Sequence, residues 1–230
     1  MTDGSVTAPA PKVPCIIAVD GPAASGKGTL ARRLAAHYDF AYLDTGALYR
    51  AVALSTIEAG GAIEREKDAV KAAENLNMAR LGEGYFAANL RSAETGLAAS
   101  VVAAMAPVRA AILAVQRQFA AMPPGDKAGA VLDGRDIGTV VCPDAAAKLF
   151  ITATADIRAE RRFAELRVSD ASLGFETVLA DIRARDARDE NRQTAPMKQA
   201  ADAPLLDTSD LSIEEAFAAA LALVEEKLNR

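Results

Sequence analysis

The sequence predicts an α/β fold: a P-loop parallel β-sheet flanked by helices, with a small inserted subdomain and a short lid. Three observations predict it. Short apolar runs alternate with helical patterns along the 230 residues, and such alternation builds parallel sheets covered by helices. The segment Gly21-Pro22-Ala23-Ala24-Ser25-Gly26-Lys27-Gly28-Thr29 directly follows the first apolar run and precedes a helical pattern. Several strand candidates end in Asp or Thr, and ligands of open parallel sheets collect beyond the C-terminal strand ends.

The first strand, residues 15–19, ends at Asp20. In the loop that follows, Gly21 and Gly26 let the backbone curl so that successive N–H groups face phosphate oxygens. The helix over 26–38 turns its positive end to the same anion, and Lys27 adds a mobile charge for the outer phosphates. Residues 21–29 are therefore expected to bind a nucleoside triphosphate. The common loop ends Gly-Lys-Ser/Thr, with the hydroxyl on magnesium. Here residue 28 is glycine and the hydroxyl arrives at Thr29, so no direct metal ligand is assigned. No Asn-Lys-x-Asp guanine-reading motif occurs.

A second strand, 41–43, leads through Asp44 to Thr45, which is expected to cap a helix over 46–59 and leave N–H groups and a hydroxyl for an anion. Tyr49 and Arg50 lie about a turn further on. A plain cap and a surface arginine would explain these residues equally well. The stretch 60–96 has five glycines and weak periodicity; it reads as an insertion, about 61–97, with a strand-like Tyr85-Phe86-Ala87. A helix over about 98–122 should be kinked or interrupted at Pro107.

The third strand, 130–132, opens into Asp133-Gly134-Arg135-Asp136-Ile137-Gly138, which places Arg135 and Asp136 at the ligand edge of the sheet. The fourth strand, 148–151, precedes a helix over 155–168 that carries Arg158, Arg161, Arg162 and Glu165 on one face. That helix begins a candidate lid, about 155–172. On a helix over 175–192, Asp181, Arg185, Arg188, Asp189 and Arg192 share one face by their three- and four-residue spacing. A solvated helix laced with ion pairs has the same look, but arginine forks also suit phosphate oxygens. A last strand, 205–206, and a helix over 213–228 complete the chain.

The formal net charge of −5 argues against a general nucleic-acid binder, so an anionic ligand must be held by locally gathered arginines. Cys15 and Cys142 adjoin apolar runs and read as buried reduced thiols without metal-ligand spacing. His37 reads as a helix C-terminal residue rather than a base. Residues 1–13 are expected to form a disordered tail and lack the apolar core of a signal peptide. No uncharged apolar stretch is long enough to span a membrane. A cytoplasmic monomer that contacts neither nucleic acid nor membrane is expected.

The segments Asp20 to Leu30, Leu43-Asp44-Thr45-Gly46-Ala47-Leu48-Tyr49-Arg50, Asp133 to Val141, and Arg185-Asp186-x-Arg188-Asp189-x-Asn191-Arg192 resemble the bacterial cytidylate kinases, P-loop enzymes that phosphorylate CMP. The resemblance runs from about Cys15 to the C-terminus and is weakest over 64–90. It implies one kinase domain, 14–230, with ATP, Mg2+ and CMP or dCMP as small-molecule partners. By that likeness the 21–29 loop holds ATP with Arg158, Arg161 and Arg162 of the lid. Thr45, Tyr49, Arg50, Arg135 and Arg192 hold the CMP phosphate, and Ser100, Arg109 and Asp136 read cytosine. Arg185 and Asp189 touch the sugar and neighbouring phosphate. Lys27, Arg135, Arg158, Arg161 and Arg192 form the implied catalytic set. Thr45 departs from the serine frequent in the family but keeps the hydroxyl. A carboxylate such as Asp136 attracts the amino group of cytosine and repels the carbonyl of uracil. Two other readings stay open: a P-loop kinase for another acceptor, and an ATP-hydrolysing sensor.

Overall fold

A computed structural model describes residues 13–229 apart from 91, 169 and 170. The expected N-terminal tail lies outside the described residues except for Val13, which is exposed. Five parallel strands form one sheet in the order β2-β3-β1-β4-β5: β1 (Cys15–Asp20), β2 (Ala41–Asp44), β3 (Gly129–Gly134), β4 (Ala147–Thr152) and β5 (Leu205–Asp207). The nine described α-helices are α1 (Lys27–Tyr38), α2 (Thr45–Glu58), α3 (Glu66–Glu74), α4 (Gly84–Asn89), α5 (Ala93–Val102), α6 (Ala106–Ala121), α7 (Ala155–Leu166), α8 (Phe175–Glu190) and α9 (Ile213–Leu228).

The central strands are buried on both faces, as parallel sheets require. All six residues of β3 are buried. Along β1 the side chains alternate: Ile17 and Val19 pack with Leu30 and Leu34 of α1 and Val224 of α9, while Ala18 faces Leu48 and Val52 of α2 and Ile112 of α6. Each large side chain so buried contributes roughly 1.5–3 kcal/mol. Register then sets the functional edge. Asp44 pairs with Asp133, and Asp133 and Gly134 pair with Val19 and Asp20, so the polar ends of three strands lie side by side.

Between α2 and β3 the structure corrects three expectations. Tyr85-Phe86-Ala87 belongs to helix α4, not a strand; Phe86 is buried against Ala51 and Leu54 of α2, and three residues are too few to show a period. The expected helix 98–122 is two helices, α5 and α6, bent by 100°. The break falls before Pro107, which occupies the first turn of α6, where a missing N–H costs nothing. Thr45 is not the cap of α2: Asp44 is, accepting Ala47 N–H at 3.0 Å. Further along, Arg192 lies past the end of α8, so it does not share a helical face with Arg185 and Arg188. His37 lies in the last turn of α1 as expected. Cys15 and Cys142 are free and only partly buried. Among the described residues no single helix is long and apolar enough to cross a membrane.

Candidate active site

The cleft opens at the C-terminal edge of the sheet, and its floor is the 21–29 loop. Gly26 has φ of 84° and caps α1 with no side-chain hydrogen bond, and the first turn of α1 carries no acidic residue. The positive helix end and its N–H groups therefore remain for an anion. Ala24 also lies in the left-handed region, at φ 58°, a strained conformation for a residue with a Cβ. Gly28 explains the unusual loop ending. A Cβ there would stand 2.9 Å from Asp133 Oδ2 and 3.7 Å from the Tyr42 hydroxyl. The loop runs so close to the ends of β2 and β3 that a side chain at residue 28 would have to displace the Asp133 carboxylate.

Lys27 Nζ donates to the Pro22 carbonyl at 3.4 Å, folded back over its own loop. Burial, then the Arg135 charge, pushes its pKa down from the ordinary lysine value to about 7, against the pull of Asp133 and Asp44. Asp133 moves the other way. Burial, then neighbouring Asp44, raises it to about 6. Burial would also raise Asp44, but Arg50 and Lys27 hold it below its usual range.

All ten residues expected to bind CMP line a single cleft: Thr45, Tyr49, Arg50, Ser100, Arg109, Arg135, Asp136, Arg185, Asp189 and Arg192, with Lys27 at its inner end. Each is held differently. The Thr45 hydroxyl donates to the Asp133 carbonyl at 2.6 Å, tying α2 to β3. Arg50 donates to Asp44 at 2.6 Å, and its Nε has no partner. Arg109 of α6 pairs with Asp136, both deeply buried, and its guanidinium lies 5.6 Å from the centre of the Tyr49 ring. Arg135 Nε donates to Asp189 at 2.9 Å. Burial alone would raise Asp189, yet Arg135, Arg185 and Arg192 outweigh it and keep the carboxylate below its usual range. Ser100 accepts from Arg188 Nε at 3.1 Å, a link between α5 and α8.

Three of the arginines have donors to spare. The Arg192 side chain is 6 % exposed, with Nε and Nη2 unpartnered, and Nε of Arg185 and of Arg50 is buried without a partner too. Buried unpaired donors are costly. Burial, then Arg135, lowers Arg185 to about 10. The cleft gathers guanidinium donors whose chemistry suits an anion.

An adjoining cleft shares Lys27, Asp44, Arg50, Arg135 and Arg185 and adds Ala23, Ala24, Arg32, Ser92, Arg162 and Glu165. Arg162 pairs with Glu165 at 2.7 Å. Arg158 and Arg161, expected over the phosphates, instead brace the loop. Arg158 is buried and donates to the Ala23 and Ala153 carbonyls and, through both Nη atoms, to Asp186 at 3.0 and 2.6 Å. Arg161 donates to the hydroxyl and carbonyl of Thr208, and that hydroxyl reaches the Ser25 carbonyl at 3.0 Å. Sequence reasoning missed Arg32, Ser92, Asp186 and Thr208. It marked Asp44 and Asp133 only as polar strand ends gathered at the ligand edge, without a specific role. Asp186 lay inside the arginine-rich motif; nothing in the sequence marked Thr208.

A cytidylate kinase family model matches residues 17–226. The chain belongs to the cytidylate kinase family. It is 58 % identical over 212 residues to the cytidylate kinase of Xanthobacter autotrophicus (strain ATCC BAA-1158 / Py2), covering 92 % of this chain and 98 % of that protein. It is 56 % identical to the cytidylate kinase of Azorhizobium caulinodans, covering 91 % and 98 %. Among solved structures, TT1252 from Thermus thermophilus superposes with a TM-score of 0.50 at 22 % identity, covering 94 % and 99 %, which shows the fold alone. As a cytidylate kinase the chain is a nucleoside monophosphate kinase, a transferase.

Proposed function

We propose that this cytidylate kinase transfers the γ-phosphoryl group of ATP to CMP or dCMP, giving ADP and CDP or dCDP. The observation that carries the reading is the set of unpartnered guanidinium donors on Arg50, Arg185 and Arg192, converging on one cleft beside Lys27. A pure ATP sensor has no use for a second phosphate pocket. In the same cleft, the Arg109–Asp136 pair offers a carboxylate for the base.

The chemistry needs no strong base, because the attacking phosphate oxygen of CMP is already anionic near neutral pH. The obstacle is the mutual repulsion of two polyanions. Lys27 and the α1 N-terminus take the outer phosphates of ATP; Arg50, Arg135 and Arg192 take the CMP phosphate; Lys27, Arg50, Arg135 and Arg185 line both clefts and so stand where the two phosphates meet. Catalysis is positioning plus charge stabilisation. Magnesium bound through nucleotide phosphates needs only one or two protein carboxylates. Asp44 and Asp133, at paired positions of β2 and β3, supply hard oxygen donors beside Lys27. When bound, the ion would neutralise charge on the transferring phosphates.

We further take residues 61–97 and 155–172 to be the parts that close over CMP and ATP. Phosphate contact by Arg158 and Arg161 then requires them to leave Asp186 and Thr208. Every residue invoked comes from one chain, so a monomer suffices.

The test is ADP release from ATP and magnesium against CMP, dCMP, UMP, AMP, GMP and dTMP, with CDP identified as product. Turnover confined to CMP and dCMP supports the reading. Turnover with another acceptor overturns the cytosine pocket, and acceptor-independent ADP release overturns phosphoryl transfer.

A further inference from the structure

We propose that Asp20 and Arg117 are positioning residues for acceptor specificity, clamping from opposite ends the π-helical turn that aims Asp136 at the base. The inference rests on the reading of Asp136 given above.

Ile137–Val141 is a π-helical turn, a rare conformation with poor intrinsic stability that recurs at functional sites. It begins immediately after Asp136. Inside it, Val141 N–H donates to the Asp136 carbonyl at 3.1 Å and Cys142 N–H to the Ile137 carbonyl at 2.7 Å. The first N–H groups and the last carbonyls have no partner within the turn itself. Two side chains from distant elements take them. Asp20, the last residue of β1, accepts Ile137 N–H on Oδ1 and Gly138 N–H on Oδ2, both at 2.8 Å. Arg117 of α6 donates from Nε to the Val141 carbonyl at 3.2 Å and from Nη2 to the Val140 carbonyl at 2.9 Å.

The same helix supplies Arg109, two turns earlier, as the partner of Asp136. Helix α6 and strand β1 thus fix both the turn and the side chain that precedes it. Asp20 is 4 % exposed, and a buried carboxylate is tolerated only when its oxygens are occupied. Burial pushes its pKa up to about 7 while the two N–H groups pull it down. Asp136 and Arg135 are the charged groups that bear on it. With one oxygen on each of two successive backbone N–H groups, Asp20 fixes the start of the turn at two points. Hydrogen-bond selection between amino and carbonyl groups requires placement within about half an ångström. Releasing either end of the turn blurs that placement.

The experiment measures kcat/KM for CMP and UMP in wild type, Asp20→Asn, Arg117→Met and Arg117→Lys, together with Tm. Asp20→Asn keeps the shape but faces one N–H with an amide N–H. Arg117 is exposed and lines neither substrate cleft, so its variants keep the fold even if Asp20→Asn does not. The CMP-to-UMP ratio should fall about tenfold in Asp20→Asn and severalfold in Arg117→Met. In Arg117→Met the KM for CMP should rise more than kcat falls, with the KM for ATP unchanged. Arg117→Lys should recover part of the ratio. Variants that lose Tm but keep the wild-type ratio overturn the proposal. A wild type that does not prefer CMP overturns the underlying reading of Asp136 instead.

Discussion

Lys27 carries the most charge chemistry in the fewest atoms. In the free protein, burial and Arg135 hold its pKa near 7, against 10.5 for an ordinary lysine. Between those values the unfolded chain binds more protons than the folded one, so this group's contribution makes stability rise with pH across that window. Triphosphate beside the ammonium reverses the shift. At pH 8, ATP binding should therefore take up protons, seen as a calorimetric enthalpy that depends on buffer ionisation enthalpy; Lys27→Met should remove that dependence. A wild type with no buffer dependence would mean that Lys27 is already charged. In the reaction, Lys27→Ala should cost about 10²–10³ in kcat with little change in the KM for CMP, and near-normal turnover would remove Lys27 from the mechanism. Asp136→Asn should weaken CMP use and narrow the CMP-to-UMP gap by about 1–3 kcal/mol; competition between the two acceptors in one assay reads it directly. Gly28→Ala pushes a methyl against the Asp133 carboxylate, and overpacking there should cost about 1–3 kcal/mol, read by thermal or urea unfolding.

Helices α7 and α8 meet the loop through Arg158, whose guanidinium donates to both Asp186 oxygens and to two backbone carbonyls. Breaking one partner from a buried pair typically costs about 3–5 kcal/mol. Arg158→Met should lower Tm strongly, and adding Asp186→Leu should return part of the loss. An unchanged Tm with a large drop in kcat would instead make Arg158 a phosphate contact. Elements of this kind separate what sequence reveals from what it hides. The five strands, the loop and the motif residues were legible because their signals are local: an apolar run, a glycine spacing, a charged pair at a strand end. The cap of α2 fell one residue early, because Asp44 and Thr45 are both cap formers and only the Ala47 hydrogen bond decides between them. The break between α5 and α6 shows as Pro107, yet its position depends on packing under α2. The bracing of the loop by Thr208 and of the π-helical turn by Asp20 joins residues more than a hundred apart, and Arg117 reaches the same turn from another element more than twenty residues away; no periodicity records such pairs.

Across the whole molecule, the charge distribution sets the behaviour. The chain carries a net charge of −5, while the cleft proposed for CMP gathers Lys27, Arg50, Arg109, Arg135, Arg185 and Arg192 against Asp44, Asp133, Asp136 and Asp189. A basic cleft in an acidic protein focuses the field on one opening. Added salt should therefore lower kcat/KM for CMP, because screening acts on approach over a Debye length of about 8–10 Å. The same arrangement predicts the effect of ligands on stability. Burial and then the charge of Arg135 lower both Arg185 and Lys27, so the gathered cations repel one another. A bound anion relieves that repulsion and adds its own binding energy. At about a hundred times its Kd, a ligand of the native state contributes about 2.7 kcal/mol. CMP and ATP should each raise Tm, and inorganic phosphate should do so more weakly, with saturation. Sodium chloride at matched ionic strength should give a smaller, non-saturating change. An equal rise with chloride would reduce the effect to general screening, and the unpartnered donors of Arg185 and Arg192 would then have no anion to explain them.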